Sequence, residues 1–286
     1  MPETVRPDGA RIHYEVHGSG FPVLLLADGA GGGEAASWSR HFYDPVTELA
    51  GAFRVIAVDQ RHAGRSAAAP FEPFSFEQHA ADLQAVLDDL GVEEAHVVAS
   101  GAGTALAWRL AHDAPQRVRA LVCDRPVGLA EGNTLGDFLA AYDEPMRHAR
   151  AEGLDGVIAA AAEDGSFTRN PAAGPYAGRL HGDEEFREEV RTRRLERYVV
   201  SLVRFRDGMW PEGSAYFSVP EEWMPRLDRP LLILPGDDRL HPEGLAKRLA
   251  DEVPGARLLD IGHDSEDRRT QTVGTIVSFL TSHTPR

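Results

Sequence analysis

The chain has 286 residues, a hydrophobic content of 42%, a charged content of 26% and a formal net charge of −15. These values are ordinary for a soluble globular protein that can bury a sizeable core in one large domain or two small ones. The negative charge excludes nucleic acid and anionic membrane surfaces as expected partners, and no apolar run approaches the roughly 20 residues that span a bilayer.

The first elements in chain order predict a hairpin and a buried strand. Residues 4–17 alternate apolar and polar around Asp8-Gly9, which is typical of a β-hairpin. Val23–Leu26 is fully apolar, as expected for a strand inside a parallel sheet. It leads into the glycine loop Asp28–Gly33. This loop lacks the GxGxxG spacing and a GK[ST] ending, so it does not predict a nucleotide site.

Strands and helices then alternate, which favours a doubly wound, mostly parallel sheet with ligand sites at the carboxyl ends of the strands. Between residues 126 and 228 helical patterns dominate, and the sheet resumes afterwards. The later predicted strands are 53–58, 96–100, 118–123, 230–234 and 256–261, and the predicted helices are 76–90, 104–113, 135–151, 154–162, 183–206, 242–253 and 267–282.

This break divides the predicted domains. Residues 1–125 and 229–286 form an α/β core, and residues 126–228 form a helical cap inserted over the carboxyl edge of the sheet. The cap carries Trp210, whose ring is a candidate for lining a pocket under the cap.

Cysteine use and the start of the chain bear on location. Cys123 is the only cysteine, so no internal disulfide can form, and residues 1–4 lack the basic and hydrophobic pattern of a secretory signal. A cytoplasmic location is therefore expected. Lys247 is the only lysine among many arginines, which is typical of a GC-rich genome.

The segment His96–Ala105 is the centre of the predicted site. An apolar strand enters a cluster of small residues and a helix leaves it, with the spacing of a nucleophile elbow. The central position is Gly101, which has no side chain. Ser100 is a poor substitute, since a register centred on it would put Val98 where a small residue is needed.

Taken together, the chain resembles the α/β-hydrolase superfamily over nearly its whole length. Four segments carry the resemblance: the strand and turn at 25–30, the Asp-x-Arg-x-x-Gly-x-Ser loop at 59–66, the elbow and its helix at 96–115, and the turns at 236–238 and 262–263. The resemblance implies that the amides of Ala30 and Ala102 form an oxyanion hole. It also implies that Asp238 orients His263, with Asp237 as the competing acid.

The chain departs from the family pattern at several places. Asp28 replaces a histidine beside the oxyanion turn, and His62 replaces a glycine. Either side chain could face the pocket or serve only its own loop. Arg125 follows the sixth strand at the pocket rim, where it could meet an anionic ligand or pair with Asp124. Gly101 is expected to leave a vacant, polarised space beside the oxyanion amides.

These residues support three functions. The first is an enzyme without cofactor or metal, in which His263 and Asp238 act as general acid and base on a small, polyketide-like secondary metabolite. Its reaction would be a lyase, elimination, cyclisation or isomerisation step, or hydrolysis through an activated water. The second is a non-catalytic small-molecule-binding protein, since the Gly-Ala-Gly elbow resembles the nucleophile-less NDRG-type proteins. The third is an esterase inactivated by a serine-to-glycine change at position 101.

Overall fold

The computed structural model describes residues 2–29, 33–69, 71–259 and 266–285. In these ranges the strands form one sheet in the order β1-β2-β4-β3-β5-β6-β7-β8. The β1–β2 and β2–β4 pairs are antiparallel and the others are parallel. The strands are β1 (Glu3–Val5), β2 (Arg11–His17), β3 (Pro22–Leu26), β4 (Arg54–Val58), β5 (Ala95–Ser100), β6 (Val118–Asp124), β7 (Leu231–Leu234) and β8 (Arg257–Leu258).

This arrangement confirms the predicted α/β fold, with an N-terminal hairpin joined to a mostly parallel sheet. The central strands β3 and β5 are mostly apolar and almost wholly buried, because helices cover both faces of the sheet and leave no solvent-facing side. Separate apolar clusters lie on the two faces, one containing Trp108 and the other containing Trp38.

The helices flank the sheet and also fill the segment between β6 and β7. The α-helices are α1 (Pro45–Glu48), α2 (Phe76–Asp89), α3 (Ala102–Asp113), α4 (Leu135–Leu139), α5 (Asp143–Glu163), α6 (Ala177–Gly182), α7 (Glu184–Thr192), α8 (Leu195–Met209), α9 (Glu243–Glu252) and α10 (Glu266–His283). Short 3₁₀ helices lie at Ala35–Arg40, Pro115–Arg117, Ala140–Tyr142, Pro171–Ala173 and Glu221–Arg226.

The predicted cap region contains only helices, turns and loops, but its helices differ in extent from those expected. The predicted helix at 135–151 is divided into α4, a 3₁₀ turn and α5. Helix α5 bends at Gly153, whose φ of 71° lies outside the helical region. The predicted helix at 183–206 ends at Thr192 and restarts at Leu195, because Arg193 and Arg194 are extended. The domain boundaries themselves stay a prediction.

The last predicted strand is shorter than expected. It is present as β8 at Arg257–Leu258, and its predicted end at residues 260–261 lies outside the described residues. Within the described ranges, no helix is both long and apolar enough to cross a membrane.

Candidate active site

The turn between β5 and α3 has the strained geometry that the sequence predicts. Gly101 has φ 51° and ψ −127°, a conformation that favours glycine because it has no Cβ. The Gly101 N–H donates to the carbonyl of Asp124 (3.0 Å), and the Gly101 carbonyl accepts from the Thr104 N–H (2.9 Å) and hydroxyl (2.7 Å). The turn is therefore fixed to both β6 and α3.

The space beside Gly101 is filled by the carboxylate of Asp28, which follows β3. A Cβ built on Gly101 would lie 2.2 Å from both Cγ and Oδ1 of Asp28, and 2.7 Å from Oδ2. The expectation of a vacant space is therefore wrong. Glycine at position 101 and aspartate at position 28 fit each other, since a side chain at the elbow would overlap the carboxylate.

The same carboxylate accepts a hydrogen bond from one of the backbone amides that are predicted to form the oxyanion hole. The Ala102 N–H, the first of helix α3, donates to Asp28 Oδ1 at 2.9 Å. A helix N-terminus favours negative charge, and a carboxylate there is stabilised by the exposed N–H groups. The other predicted donor, Ala30, lies outside the described residues.

A cavity of about 510 Å³ opens beside Asp28 at the carboxyl edge of the sheet. Residues from the ends of β3, β6 and β7, from the 3₁₀ helix after the glycine loop and from the loop at 166–169 enclose it. Its charged lining residues are Asp28, Arg40, Asp124, Arg125, Arg169 and Asp237, and its other lining residues are Ser37, His41, Phe42, Ser166 and Thr168.

Arg125 reaches this cavity from a left-handed backbone conformation with φ 47°. Its N–H donates to the carbonyl of Leu234 (2.8 Å), and its guanidinium donates to the hydroxyl of the fully buried Ser100 (3.3 Å). Among the described residues, this bond to Ser100 is the contact that its guanidinium makes, and no carboxylate forms an ion pair with it. Arg125 therefore lines the cavity, while Ser100, to which its guanidinium is bonded, is fully buried and does not line it.

His41 is a cavity residue that the sequence reasoning missed. Its half-buried ring packs against Trp38, with ring centroids 4.7 Å apart. Burial, reinforced by the positive charge of Arg125, lowers the pKa of His41 to about 4, so the ring is neutral at neutral pH. No motif in the sequence marks this histidine, since its role depends on how the segment after the glycine loop packs.

His62 lies beside a second, smaller cavity of about 80 Å³ that it shares with Asp28. Its φ of 68° explains why a glycine is the family's usual residue there. Burial, and then the nearby His79 and Arg61, lower the pKa of His62 to about 3. Its Nε2 is buried without a hydrogen-bond partner among the described residues. The neighbouring Arg61 is structural, since it donates twice to Asp82 (2.8 and 2.9 Å).

In the described part of the chain, Asp238 is bonded to His241. Its carboxylate accepts from Nδ1 of His241 at 2.8 and 2.9 Å and from the backbone N–H groups of Leu240 and His241. Burial alone would raise the pKa of Asp238, but these bonds keep it below its usual value. His263 lies outside the described residues, so the Asp238–His263 pair stays a prediction. The competing acid, Asp237, lines the larger cavity.

Trp210 is placed away from these groups. It packs in an aromatic cluster with Phe138 and Phe217, each at a ring-centroid distance of 4.9 Å, and it lines neither of the two cavities at Asp28. Among the described residues, no three His, Cys, Asp or Glu side chains form a metal-binding group.

The fold, the strained elbow and the position of the cavity define the class of protein. The sequence pattern of the α/β hydrolase fold matches residues 22–264, most of the chain, and the protein therefore belongs to this family.

Hydrolases are among its curated relatives, and they match over part of their length. RutD of Azorhizobium caulinodans, to which a carbamate hydrolase activity is provisionally attributed, is 40% identical over 124 residues, covering 43% of this chain and 44% of RutD. Rhodomycin D methylesterase of Streptomyces peucetius is 41% identical over 102 residues, covering 35% of this chain and 33% of that enzyme. The chain thus spans about half the length, or less, of these relatives.

Solved structures extend the likeness of fold to the whole chain. A meta-cleavage product hydrolase from Pseudomonas fluorescens IP01 superimposes with a TM-score of 0.63 at 20% identity, covering 99% of this chain and 98% of that one. At this level of identity the comparison shows the fold alone.

Proposed function

We propose that the protein is a hydrolase-type enzyme for a small molecule, in which the Asp28 carboxylate replaces the missing elbow side chain as the reactive group. The observation that carries this proposal is the overlap between Asp28 Cγ and the Cβ position of Gly101, at 2.2 Å. The carboxylate thus lies where this fold family places its nucleophile.

The bonding of Asp28 leaves it able to react. Oδ1 accepts the Ala102 N–H, whereas Oδ2 has no hydrogen-bond partner among the described residues. An oxygen beside a cavity can accept a proton from a substrate carbon or from water, a step that contributes about 10²–10⁴-fold in rate. The reaction is then elimination, cyclisation, isomerisation or hydrolysis through water, and the pair His263–Asp238 supplies a second acid–base group.

The size of the cavity and one relative support a small organic substrate, with a secondary metabolite as the proposed class. The cavity of about 510 Å³ falls in the range of small-molecule sites, about 300–1,000 Å³. The matched segment of rhodomycin D methylesterase agrees with this class. No cofactor is needed for the proposed steps.

The test is the substitution Asp28→Asn, which keeps the shape and removes the basic oxygen. Hydrolysis of p-nitrophenyl acetate and α-proton exchange of phenylacetone in D₂O are measured for both proteins. We expect the natural protein to accelerate at least one reaction, and Asp28→Asn to lower that rate by about 10²-fold or more.

The matched control is Asp88→Asn, the same change at an exposed carboxylate on α2 that pairs with Arg117. It should react like the natural protein. Equal rates for Asp28→Asn and the natural protein would contradict the proposal.

A non-catalytic binding function is the second candidate, and one observation favours it. The Ala102 N–H is already bonded to Asp28 Oδ1 (2.9 Å), so it is not free to receive a substrate oxyanion. If the protein accelerates neither reaction and retains a small molecule unchanged over days, the binding function is supported instead.

A further inference from the structure

The hydrogen bond between Asp28 and Ala102 engages a donor that a carbonyl substrate would otherwise use. The Ala102 N–H donates to Asp28 Oδ1 at 2.9 Å, so this amide is occupied before a substrate arrives. Removal of a proton from the carbon beside a carbonyl group places negative charge on the carbonyl oxygen, and that charge needs a donor. A base at position 28 therefore calls for another donor at the cavity to replace the engaged amide.

We propose that Arg125 is this donor, and that its guanidinium binds the oxyanion formed when Asp28 Oδ2 removes a proton from the α-carbon of a carbonyl substrate. This inference rests on the proposed function, since it requires Asp28 to act as the base. It deepens that function by assigning a second catalytic residue. It also narrows the substrate class to carbonyl compounds with a C–H bond on the α-carbon.

The guanidinium of Arg125 has donors available for a substrate. In the described part of the chain it makes one hydrogen bond, from Nη2 to the Ser100 hydroxyl (3.3 Å), which leaves its other N–H groups unbonded there. Two further arginines line the cavity, but Arg40 and Arg169 each form an ion pair with a carboxylate, at 3.3 and 2.6 Å. Among the described lining residues, Arg125 is thus the arginine whose charge can act on a bound molecule.

Arg125 and Asp28 are bonded to residues on the two sides of Gly101. The Arg125 guanidinium donates to Ser100, and the Asp28 carboxylate accepts from Ala102. Two residues of chain span at most about 7 Å, and both charged side chains line the cavity of about 510 Å³. One small molecule can therefore contact the carboxylate and the guanidinium together.

The electrostatics of His41 agree with this proximity. Burial is the largest cause of the lowered pKa of His41, the positive charge of Arg125 lowers that pKa further, and the Asp28 carboxylate opposes the change. Since the effect of one charge on another falls off with distance, both charges lie near the His41 ring. The ring itself is neutral at neutral pH and leaves the charge of Arg125 available to a substrate.

The backbone fixes Arg125 beside the elbow. Its φ of 47° is uncommon for a residue other than glycine, and such strain persists only where the surroundings hold it. Here the Arg125 N–H donates to the carbonyl of Leu234 (2.8 Å), and the carbonyl of Asp124 accepts from the Gly101 N–H (3.0 Å). A donor that is fixed before the reaction stabilises a developing charge without the cost of reorganisation.

The atoms and charges balance in one reversible step. The C–H bond of the α-carbon breaks and its proton passes to Asp28 Oδ2. The electron pair of that bond forms a carbon–carbon double bond, while the π pair of the carbonyl group moves to its oxygen. Negative charge thus leaves Asp28 and appears on the substrate oxygen beside Arg125. Return of a proton to the carbon, from Asp28 or after exchange with solvent, restores the carbonyl compound and the carboxylate.

The first test measures the binding of phenylacetate, whose carboxylate places an anionic oxygen where the enolate of phenylacetone has one. Titration calorimetry is carried out on the full-length protein. Asp28→Asn reproduces the uncharged state of Asp28 after proton transfer, so it should bind phenylacetate about 10-fold more tightly than the natural protein. Adding Arg125→Met should weaken phenylacetate binding by about 10²-fold, with little change for phenylacetone, and Arg125→Lys should weaken it less.

The second test measures exchange of the α-protons in D₂O by NMR. Arg125→Met should lower kcat for phenylacetone by about 10²-fold with little change in KM. The loss should be smaller for 4-nitrophenylacetone, whose enolate carries less charge on oxygen, whereas a purely structural role would lower both rates equally. The matched control is Arg147→Met, at an exposed residue on α5 that pairs with Glu144, and it should react like the natural protein.

Arg125→Gln, whose amide can keep the bond to Ser100, is measured alongside and should show the same losses, so the test does not depend on the folding of one variant. Four outcomes would overturn this inference: no α-proton exchange by the natural protein, no binding of phenylacetate, equal phenylacetate affinity with and without the Arg125 guanidinium, or equal kinetic losses for the two ketones. Failure of the proposed function is recognised separately, by an Asp28→Asn variant that reacts as fast as the natural protein while phenylacetate binding still depends on Arg125.

Discussion

Two carboxylates at the carboxyl edge of the sheet each lie against a glycine, but they differ in their hydrogen bonding. Asp28 follows β3 and lies against Gly101 (φ 51°), and Asp59 follows β4 and lies against Gly64 (φ 54°). A Cβ on Gly64 would lie 2.5 Å from Asp59 Cγ, much as a Cβ on Gly101 would lie 2.2 Å from Asp28 Cγ. In both places a glycine with positive φ makes room for a carboxylate.

The two differ in how many donors they satisfy. Asp59 accepts from the Ala35 N–H (2.8 Å), the Arg65 N–H (2.9 Å) and Arg65 Nε (3.2 Å), so both of its oxygens are engaged. Within the described residues Asp28 accepts one hydrogen bond, from the Ala102 N–H (2.9 Å). A carboxylate whose two oxygens are both hydrogen-bonded fixes a loop, whereas a carboxylate with an unbonded oxygen beside a cavity can react with a substrate.

The prediction with the largest expected effect compares how much each of the two carboxylates contributes to the stability of the fold. Asp59→Ala should lower the free energy of unfolding by about 4 kcal/mol, because it leaves buried donors unsatisfied and breaks an ion pair. Asp28→Ala should cost only about 1 kcal/mol, since one N–H beside a cavity is freed and water can replace the lost acceptor. Urea denaturation at pH 7 measures both.

Asp88→Ala, at an exposed position, serves as the control and should change the free energy of unfolding little. If Asp28→Ala proved as destabilising as Asp59→Ala, Asp28 would be a structural residue and the contrast between the two sites would fail.

The next effect tests whether Gly101 and Asp28 are matched. Gly101→Ser should lower the free energy of unfolding by about 3 kcal/mol, from the strained φ and from overlap with Asp28. Asp28→Gly in the same chain should recover about half of that loss, because it removes the overlap and leaves the backbone strain. A double-mutant cycle measures the coupling.

The corresponding pair Gly64 and Asp59 provides the comparison. Asp59→Gly should not rescue Gly64→Ala, because loss of the Asp59 carboxylate removes the hydrogen bonds that hold its own loop. Additive effects of Gly101→Ser and Asp28→Gly would show that the two positions are not matched. Brisk hydrolysis of p-nitrophenyl acetate by Gly101→Ser alone would instead favour the inactivated-esterase hypothesis.

The smallest effect concerns His62, which belongs to the Asp59 loop and borders the small cavity of Asp28. Its pKa of about 3 in the folded chain lies below the ordinary value of about 6.5. Below pH 6.5 the unfolded chain binds a proton that the folded chain does not. Stability is therefore lost as the pH falls from about 6.5 towards 3, by about 2 kcal/mol at pH 5 for this residue.

His62→Asn, which tolerates positive φ, should remove that part of the pH dependence when urea unfolding is compared at pH 7.5 and pH 5. His112→Gln, at the partly exposed surface, is the control. An unchanged pH dependence in His62→Asn would mean that the buried His62 ring is not the group that loses stability on acidification.

Most of the fold could be predicted from local patterns. The apolar runs in β3, β4 and β6 and the periodicity of α2 depend on neighbours along the chain, so the bounds of each element differ from the predicted ones by one residue. The break between α7 and α8 could not be predicted in this way. Arg193 is extended there, with its guanidinium 3.6 Å from the ring centroid of Phe71, a residue far away in sequence.

In the candidate site, too, some features could be predicted from local sequence and others could not. The sequence by itself determined that the turn after β5 is an elbow with no side chain at its centre, because glycine at position 101 and its small neighbours are local facts. Only the tertiary structure decided what fills that centre. Asp28 comes from a different strand, and sequence spacing does not report where β3 and β5 end relative to each other.

The same holds for Arg125 and His41, whose meeting at one cavity depends on the packing of separate segments against the sheet edge. Features that depend on neighbouring residues in the chain could be predicted from the sequence. Every contact between strand ends depends instead on the register of the parallel sheet. That register pairs Leu26 with Ala99 and Ser100 with Asp124, and it thereby brings the Asp28 carboxylate to the elbow.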